Sequence, residues 1–299
     1  MQANPFPLAA TNGWNAPLPS LQLDKTSVWR DGRKIVGPID LQLHSAEIKG
    51  VFGLNSCGKS TLLRAAGGIL RSGIRGSIKW FGRSSLAATP NLLRRIGQQV
   101  QSFPVVPHLS VAEQLRLVCQ LRSQSQINVS ADLQRIFDGF PELYSKRNER
   151  ADRLNGGSIT MLSVASAMIG LRNGLLLLDE PTNNLSVPAT AMLREIVRDS
   201  VQRDQNSLLV VSHDWEWLCS LMPPSQILLL SQPRTNRVRW KTSSTAASTF
   251  DCSLPTVAHH EQSLVEHGSQ RPSPGQAKEA ATSQSPGPIF APVHSNDLL

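Results

Sequence analysis

Cysteine is scarce in this sequence: four residues, at positions 57, 119, 219 and 252, stand far apart in the chain. They form neither a Cys-x-x-Cys pair nor a regular framework of spacings, which excludes a disulfide scaffold and fits a reducing compartment. Aromatic residues make up only 5%, with a single tyrosine. No block of Lys and Arg is interleaved with them, so no specific nucleic-acid groove is expected. Long hydrophobic runs are missing as well. Runs such as Leu175–Leu178 and Ile227–Leu230 fall far short of the about 20 apolar residues that a helix needs to cross a bilayer. The first residues, MQANPFPLAATNGWNAPLP, have no basic start and no apolar stretch, which argues against a secretory signal. A cytoplasmic protein is expected.

What is present suffices for a large core. The chain has 299 residues, 40% of them hydrophobic, or roughly two domains' worth of chain at about 150 residues per domain. Its formal charge is +8, unevenly spread. From Ser243 onward two bases face five acids, a net of −3, leaving 28 bases against 17 acids, or +11, in the first 242 residues. Residues 1–20 read as a loose leader rich in Pro, Asn and Ala. Residues 243–299, rich in Ser, Pro and Gln, carry too little apolar surface to offset the entropy of ordering, and a disordered tail is expected there. Between them, 21–242 form the body, with no internal repeat.

Within the body, short apolar runs at Ile48–Phe52, Leu175–Leu178, Leu208–Val211 and Ile227–Leu230 have the length and continuity of strands buried on both faces. Helical signals alternate with them. Ser110 and Glu113 make a capping box ahead of a face of Leu115, Val118 and Leu121. Ser186 stands where it can cap a helix with Pro188 in its first turn and Leu193, Ile196, Val197 and Val201 along one side. Leu133, Ile136, Phe137 and Phe140 mark a further helix. Strands separated by helices predict an α/β fold with a mainly parallel sheet covered on both faces. The stretch of about 105–160, without strand signals, reads as a helical insertion.

The most specific motif is Gly53-Leu54-Asn55-Ser56-Cys57-Gly58-Lys59-Ser60-Thr61, a G-x-x-x-x-G-K-[ST] loop between a candidate strand and a candidate helix. Glycines let successive N–H groups converge on one point, a concavity for phosphate oxygens, and the helix start adds its positive dipole end. Lys59 would reach the β- and γ-phosphates of ATP, and the Ser60 hydroxyl would ligate Mg²⁺. Further on, the apolar run Leu175–Leu178 ends in Asp179 and Glu180. A carboxylate at the end of a buried strand suits Asp179 to the Mg²⁺ shell, and Glu180, one residue later, suits a general base that polarises water.

With these residues in place, the sequence resembles the ATP-binding cassette (ABC) ATPases over about residues 21–230. Trp29, upstream of the loop, falls where that family has an aromatic that stacks on adenine. Arg95-Ile-Gly-Gln-Gln-Val-Gln101 resembles the Q-loop, with Gln101 at the position of the family's contact to Mg²⁺ and water, although Gln98 and Gln99 stand close by. Leu154-Asn155-Gly156-Gly157-Ser158 is similar to the signature motif that faces the nucleotide of the opposite subunit. Pro181–Ser186 matches the D-loop, and His213 falls at the switch histidine that senses the γ-phosphate. There are departures. Asn155 stands where the family usually has Ser, Ser158 and Ile159 replace the common Gln and Arg, and Ser186 replaces the D-loop Asp.

The resemblance implies an ATPase with ATP and Mg²⁺. It would form a head-to-tail dimer with a second cassette subunit, identical or not, and drive separate integral membrane permease subunits at the cytoplasmic face of a membrane. The alternative is a non-transport cassette acting on a soluble assembly such as the ribosome. A module that binds ATP without hydrolysing it is suggested only by the altered signature.

Overall fold

The computed structural model describes residues 11–12, 16–99, 105–122 and 128–230. The tail from 243, most of the leader and Gln101 therefore lie outside the described residues.

The elements run β1 (Thr11–Asn12), β2 (Ala16–Pro17), β3 (Leu21–Arg30), β4 (Arg33–Leu43), β5 (Ile48–Gly53), α1 (Lys59–Ala66), β6 (Ile74–Trp80), β7 (Arg83–Ser84), α2 (Pro90–Arg94) and β8 (Ile96–Gln99). They continue with α3 (Val111–Arg122), α4 (Val129–Gly139), α5 (Pro141–Ser145), α6 (Gly156–Met168), β9 (Leu175–Asp179), α7 (Val187–Arg203), β10 (Ser207–Ser212), α8 (Trp215–Leu221) and β11 (Ile227–Leu230). A five-stranded sheet in the order β11-β5-β10-β9-β8 is parallel at every pairing. The four apolar runs are its inner strands and one edge, and β8 forms the other edge.

Because side chains alternate across a strand, the fully apolar β9 and β10 feed two cores at once. Leu176, Leu178, Leu208 and Val210 face a core built with α3, α4, α6, α7 and α8. Leu175, Leu177, Leu209 and Val211 face a second core with α1. That second core is closed by an antiparallel sheet, β4-β3-β6-β7, which a mainly parallel reading does not contain. The indole Nε1 of Trp80 on β6 donates to the Ala66 carbonyl at 2.7 Å, tying this sheet to the end of α1.

From 105 to 168 the described residues form helices and no strand, apart from one isolated bridge between Ser110 and Arg150. The capping box forms: the Ser110 N–H donates to Glu113 Oε2 at 2.8 Å, and the Glu113 N–H donates back to Ser110 Oγ at 3.3 Å. The buried face of α3 is rotated from the expected one. Leu121 is 62% exposed, while Gln114 is buried, accepting from the Val106 N–H and donating to Ser166 Oγ. Ser186 occupies the N-cap position of α7, but its side chain makes no capping bond.

Candidate nucleotide site

The phosphate loop lies between β5, in the middle of the parallel sheet, and α1. Gly58 caps α1 with φ of 97°, left-handed backbone that a side chain disfavours. A Cβ there would also stand 3.0 Å from Val36 and 3.1 Å from the Ile35 carbonyl on β4. Val36 pairs with Val28, and Lys34 with Trp29, so the same hairpin that abuts Gly58 carries Trp29. The Trp29 ring is half-buried with the Arg75 guanidinium 4.2 Å from its centre.

Lys59 is buried at the first position of α1. Its Nζ donates to the carbonyls of Gly53 at 2.7 Å and Leu54 at 3.2 Å, and pairs with Glu180 Oε1 at 3.2 Å. Ser60 Oγ donates to Asp179 Oδ1 at 2.9 Å. Asp179 is fully buried, and its Oδ2 has no hydrogen-bond partner. Burial pushes its carboxyl above the ordinary range, with the bond from Ser60 opposing the shift. Of the loop's other side chains, Leu54 is exposed, as are Asn55 and Ser56, while Cys57 is buried and its thiol is pushed up by burial. Thr61, on the first turn of α1, is half-buried.

Glu180 follows β9 with φ of 49°, a left-handed backbone that a non-glycine residue adopts at a cost of about 1–3 kcal/mol. Its Oε2 collects three donors: Ser212 Oγ at 3.0 Å, the His213 N–H at 3.1 Å and His213 Nδ1 at 2.8 Å. Its Oε1 has only the Lys59 ion pair, which lies outside hydrogen-bond geometry. Lys59, Ser60, Asp179, Glu180 and His213, scattered in sequence, thus form one cluster at the carboxyl ends of β5, β9 and β10, where ligands of open α/β sheets bind.

The signature residues stand elsewhere, at the start of α6. Asn155 is the N-cap, its Oδ1 accepting from the Ser158 N–H at 2.8 Å. Ser158 is fully buried; its hydroxyl donates to Glu142 Oε1 at 2.5 Å and accepts from Lys146 Nζ at 2.7 Å. Lys146 Nζ also donates to Glu142 Oε1 at 2.8 Å, and this bond, with the one from Ser158, holds the Glu142 carboxyl below its ordinary range. Gly156 and Gly157 pack on Asn184 of the D-loop, and a Cβ on Gly157 would stand 2.8 Å from the Asn184 carbonyl oxygen. No group of three or more His, Cys, Asp or Glu suited to a metal exists among the described residues.

Two partners at the site had no sequence signal of their own. Ser212 was visible only as the neighbour of His213. Gln99 is buried on β8, and its Oε1 accepts from the Asp179 N–H at 2.9 Å.

The sequence matches the family model described as ABC transporter over residues 36–183. This span holds the phosphate loop, the signature, Asp179 and Glu180, but stops short of Trp29 and His213. The xylose import ATP-binding protein XylG of Burkholderia cenocepacia is 32% identical over 196 residues, 61% of this chain and 36% of that protein. The aliphatic sulfonates import ATP-binding protein SsuB 2 of Burkholderia lata is 28% identical over 252 residues, 84% of this chain and 87% of that protein. The chain thus spans little more than a third of the xylose protein and most of the sulfonate protein. Among solved structures, an ATP-binding subunit of an ABC transporter superposes with a TM-score of 0.61 at 18% identity, over 70% of this chain and 85% of that one. The dimeric bacterial ABC transporter cassette MJ0796 superposes with a TM-score of 0.59 at 18% identity, over 70% of this chain and 94% of that one. Motif, fold and family match agree, and the chain belongs to the ATP-binding cassette family.

Proposed function

We propose that this chain is the ATP-binding and ATP-hydrolysing subunit of an ABC transporter. It would dimerise on ATP with a second cassette to drive separate integral membrane subunits. The cluster of Lys59, Ser60, Asp179, Glu180 and His213 carries the reading, because it sets a cation, a hydroxyl, a carboxylate suited to a metal and a second carboxylate suited to a base side by side. Phosphate oxygens compete with the carbonyls of Gly53 and Leu54 for the Lys59 ammonium, while the loop N–H groups and the start of α1 supply neutral donors.

The residues suit Mg²⁺. The partnerless buried oxygen of Asp179 and the Ser60 hydroxyl are hard oxygen donors, and this cation takes one or two such ligands beside phosphate. When bound, Mg²⁺ would neutralise charge developing on the β- and γ-phosphates. Glu180, fixed through Oε2, would take a proton from the attacking water as its oxygen bonds to the γ-phosphorus. The bond from that phosphorus to the β–γ bridging oxygen breaks, and ADP and phosphate leave. His213 holds Glu180 from the side and is 48% exposed, so it stays open to the nucleotide. Trp29 would offer its free face to adenine, and Gln101 would join the metal's water shell. Residues 155–158 would cap the nucleotide held by the partner cassette.

The import roles of these relatives favour transport over a soluble assembly. No described helix is long and apolar enough to cross a membrane; in this reading separate membrane subunits would supply the spans, with this subunit at the cytoplasmic face. Phosphate release that depends on both ATP and Mg²⁺ tests the enzyme, and its absence from a folded preparation with its partners refutes it. Tagged Glu180→Gln protein, held on ATP and gently solubilised from its own cells, tests the partner. A co-purifying polytopic membrane protein supports transport, and ribosomal proteins without one overturn it.

A further inference from the structure

β8 carries two consecutive glutamines at the edge of a sheet otherwise built from apolar strands. An amide buried without a hydrogen bond costs about 1–3 kcal/mol, so each such residue asks for a reason. The two point to opposite faces, as neighbours on a strand must. Gln98 Nε2 donates to the Gly67 carbonyl at the end of α1 at 2.6 Å. Gln99 turns the other way, is 4% exposed, and accepts the Asp179 N–H at 2.9 Å.

The register explains why a side chain does this. The last described β8–β9 pair is Gln99 with Leu178, which sets the Gln99 side chain beside the next residue of β9, Asp179. The amide oxygen of Gln99 thereby adds a side-chain acceptor to the Asp179 N–H. The bond is made to the backbone of the residue whose carboxylate meets Ser60 at 2.9 Å, and it comes from the strand that runs toward Gln101.

We propose that Gln99 is a positioning residue for the metal carboxylate: its amide oxygen fixes the backbone of Asp179 and thereby aims Oδ2. The inference rests on the nucleotide reading above. It assigns Gln99 an effect on metal binding, whereas Gln98, bonded to the end of α1, has an effect on folding alone.

The probe is Mn²⁺ titrated by electron paramagnetic resonance into protein carrying the non-hydrolysable ATP analogue AMP-PNP. Affinity for metal-free AMP-PNP is measured in parallel. Gln99→Met should weaken Mn²⁺ binding about tenfold, as loss of an outer-shell partner typically does, with metal-free affinity within about twofold of wild type. Gln99→Asn keeps an amide but withdraws its oxygen by one bond; it should show the same split, and it carries the test if the methionine variant does not fold. Gln98→Leu should lower Tm and leave Mn²⁺ affinity unchanged. Equal losses with and without metal, or no loss of Mn²⁺ affinity in a folded Gln99 variant, overturn the assignment. Failure of the wild type to bind AMP-PNP at all would instead refute the nucleotide reading.

Discussion

The two halves of the candidate site are built on opposite principles. Around Lys59, polar groups are buried and left partly unsatisfied: Asp179 Oδ2 has no partner, Glu180 Oε1 has only an ion pair, and Glu180 sits in left-handed backbone. At the start of α6 the side chains are used up. Asn155 caps the helix, and Ser158 is locked between Glu142 and Lys146. The first half keeps reactive capacity at a cost in stability. The second presents little beyond two glycines and their N–H groups. The contrast teaches where chemistry can be located: unsatisfied buried oxygens point to a ligand, whereas the side chains of a satisfied helix cap have no capacity left for one.

The comparison can be broken from its largest effect down. Glu180→Gln keeps shape and removes the carboxylate proposed as the base. Phosphate release should fall by about 10²–10⁴-fold with ATP still bound, and near-normal turnover would sink this role for Glu180. Asp179→Asn removes a buried charge whose carboxyl is already pushed up by burial. A raised carboxyl contributes its stability below the ordinary carboxylate range and loses it as pH rises through the raised value. At neutral pH the charge is therefore a cost, and the variant should gain about 2–4 °C in Tm without metal while losing Mn²⁺ affinity. That gain should shrink in acid, and a drop in Tm at neutral pH would contradict it. Asn155→Ala deletes a cap and should cost about 1 kcal/mol in denaturant unfolding. Asn155→Ser, another good cap, should cost less than half of that.

The Lys59 half was largely legible because its signals are local. A loop motif needs eight adjacent residues, and a buried parallel strand shows as a continuous apolar run. The antiparallel sheet escaped because β3 pairs with β4 and β6 through register shifts that break strict alternation. Lys25, Asp31 and Ala46 also bend this region through positive φ. The buried face of α3 departs from its apolar face because Gln114 holds a core position through two hydrogen bonds, which polarity alone does not reveal. The glutamines of β8 were seen only as competitors of Gln101. Which of them touches the site depends on strand register, a property of pairing and not of the sequence.

One measurement sets the two halves directly against each other. AMP-PNP affinity is determined by calorimetry on dilute Lys59→Met and Asn155→Ala, each below the concentration at which it dimerises. The account places nucleotide capture in the Lys59 half of a single chain. It predicts a loss of about 10–100-fold for Lys59→Met, the worth of a charged hydrogen bond, and a change within about twofold for Asn155→Ala. Equal losses in the two variants, or the larger loss in Asn155→Ala, would contradict it.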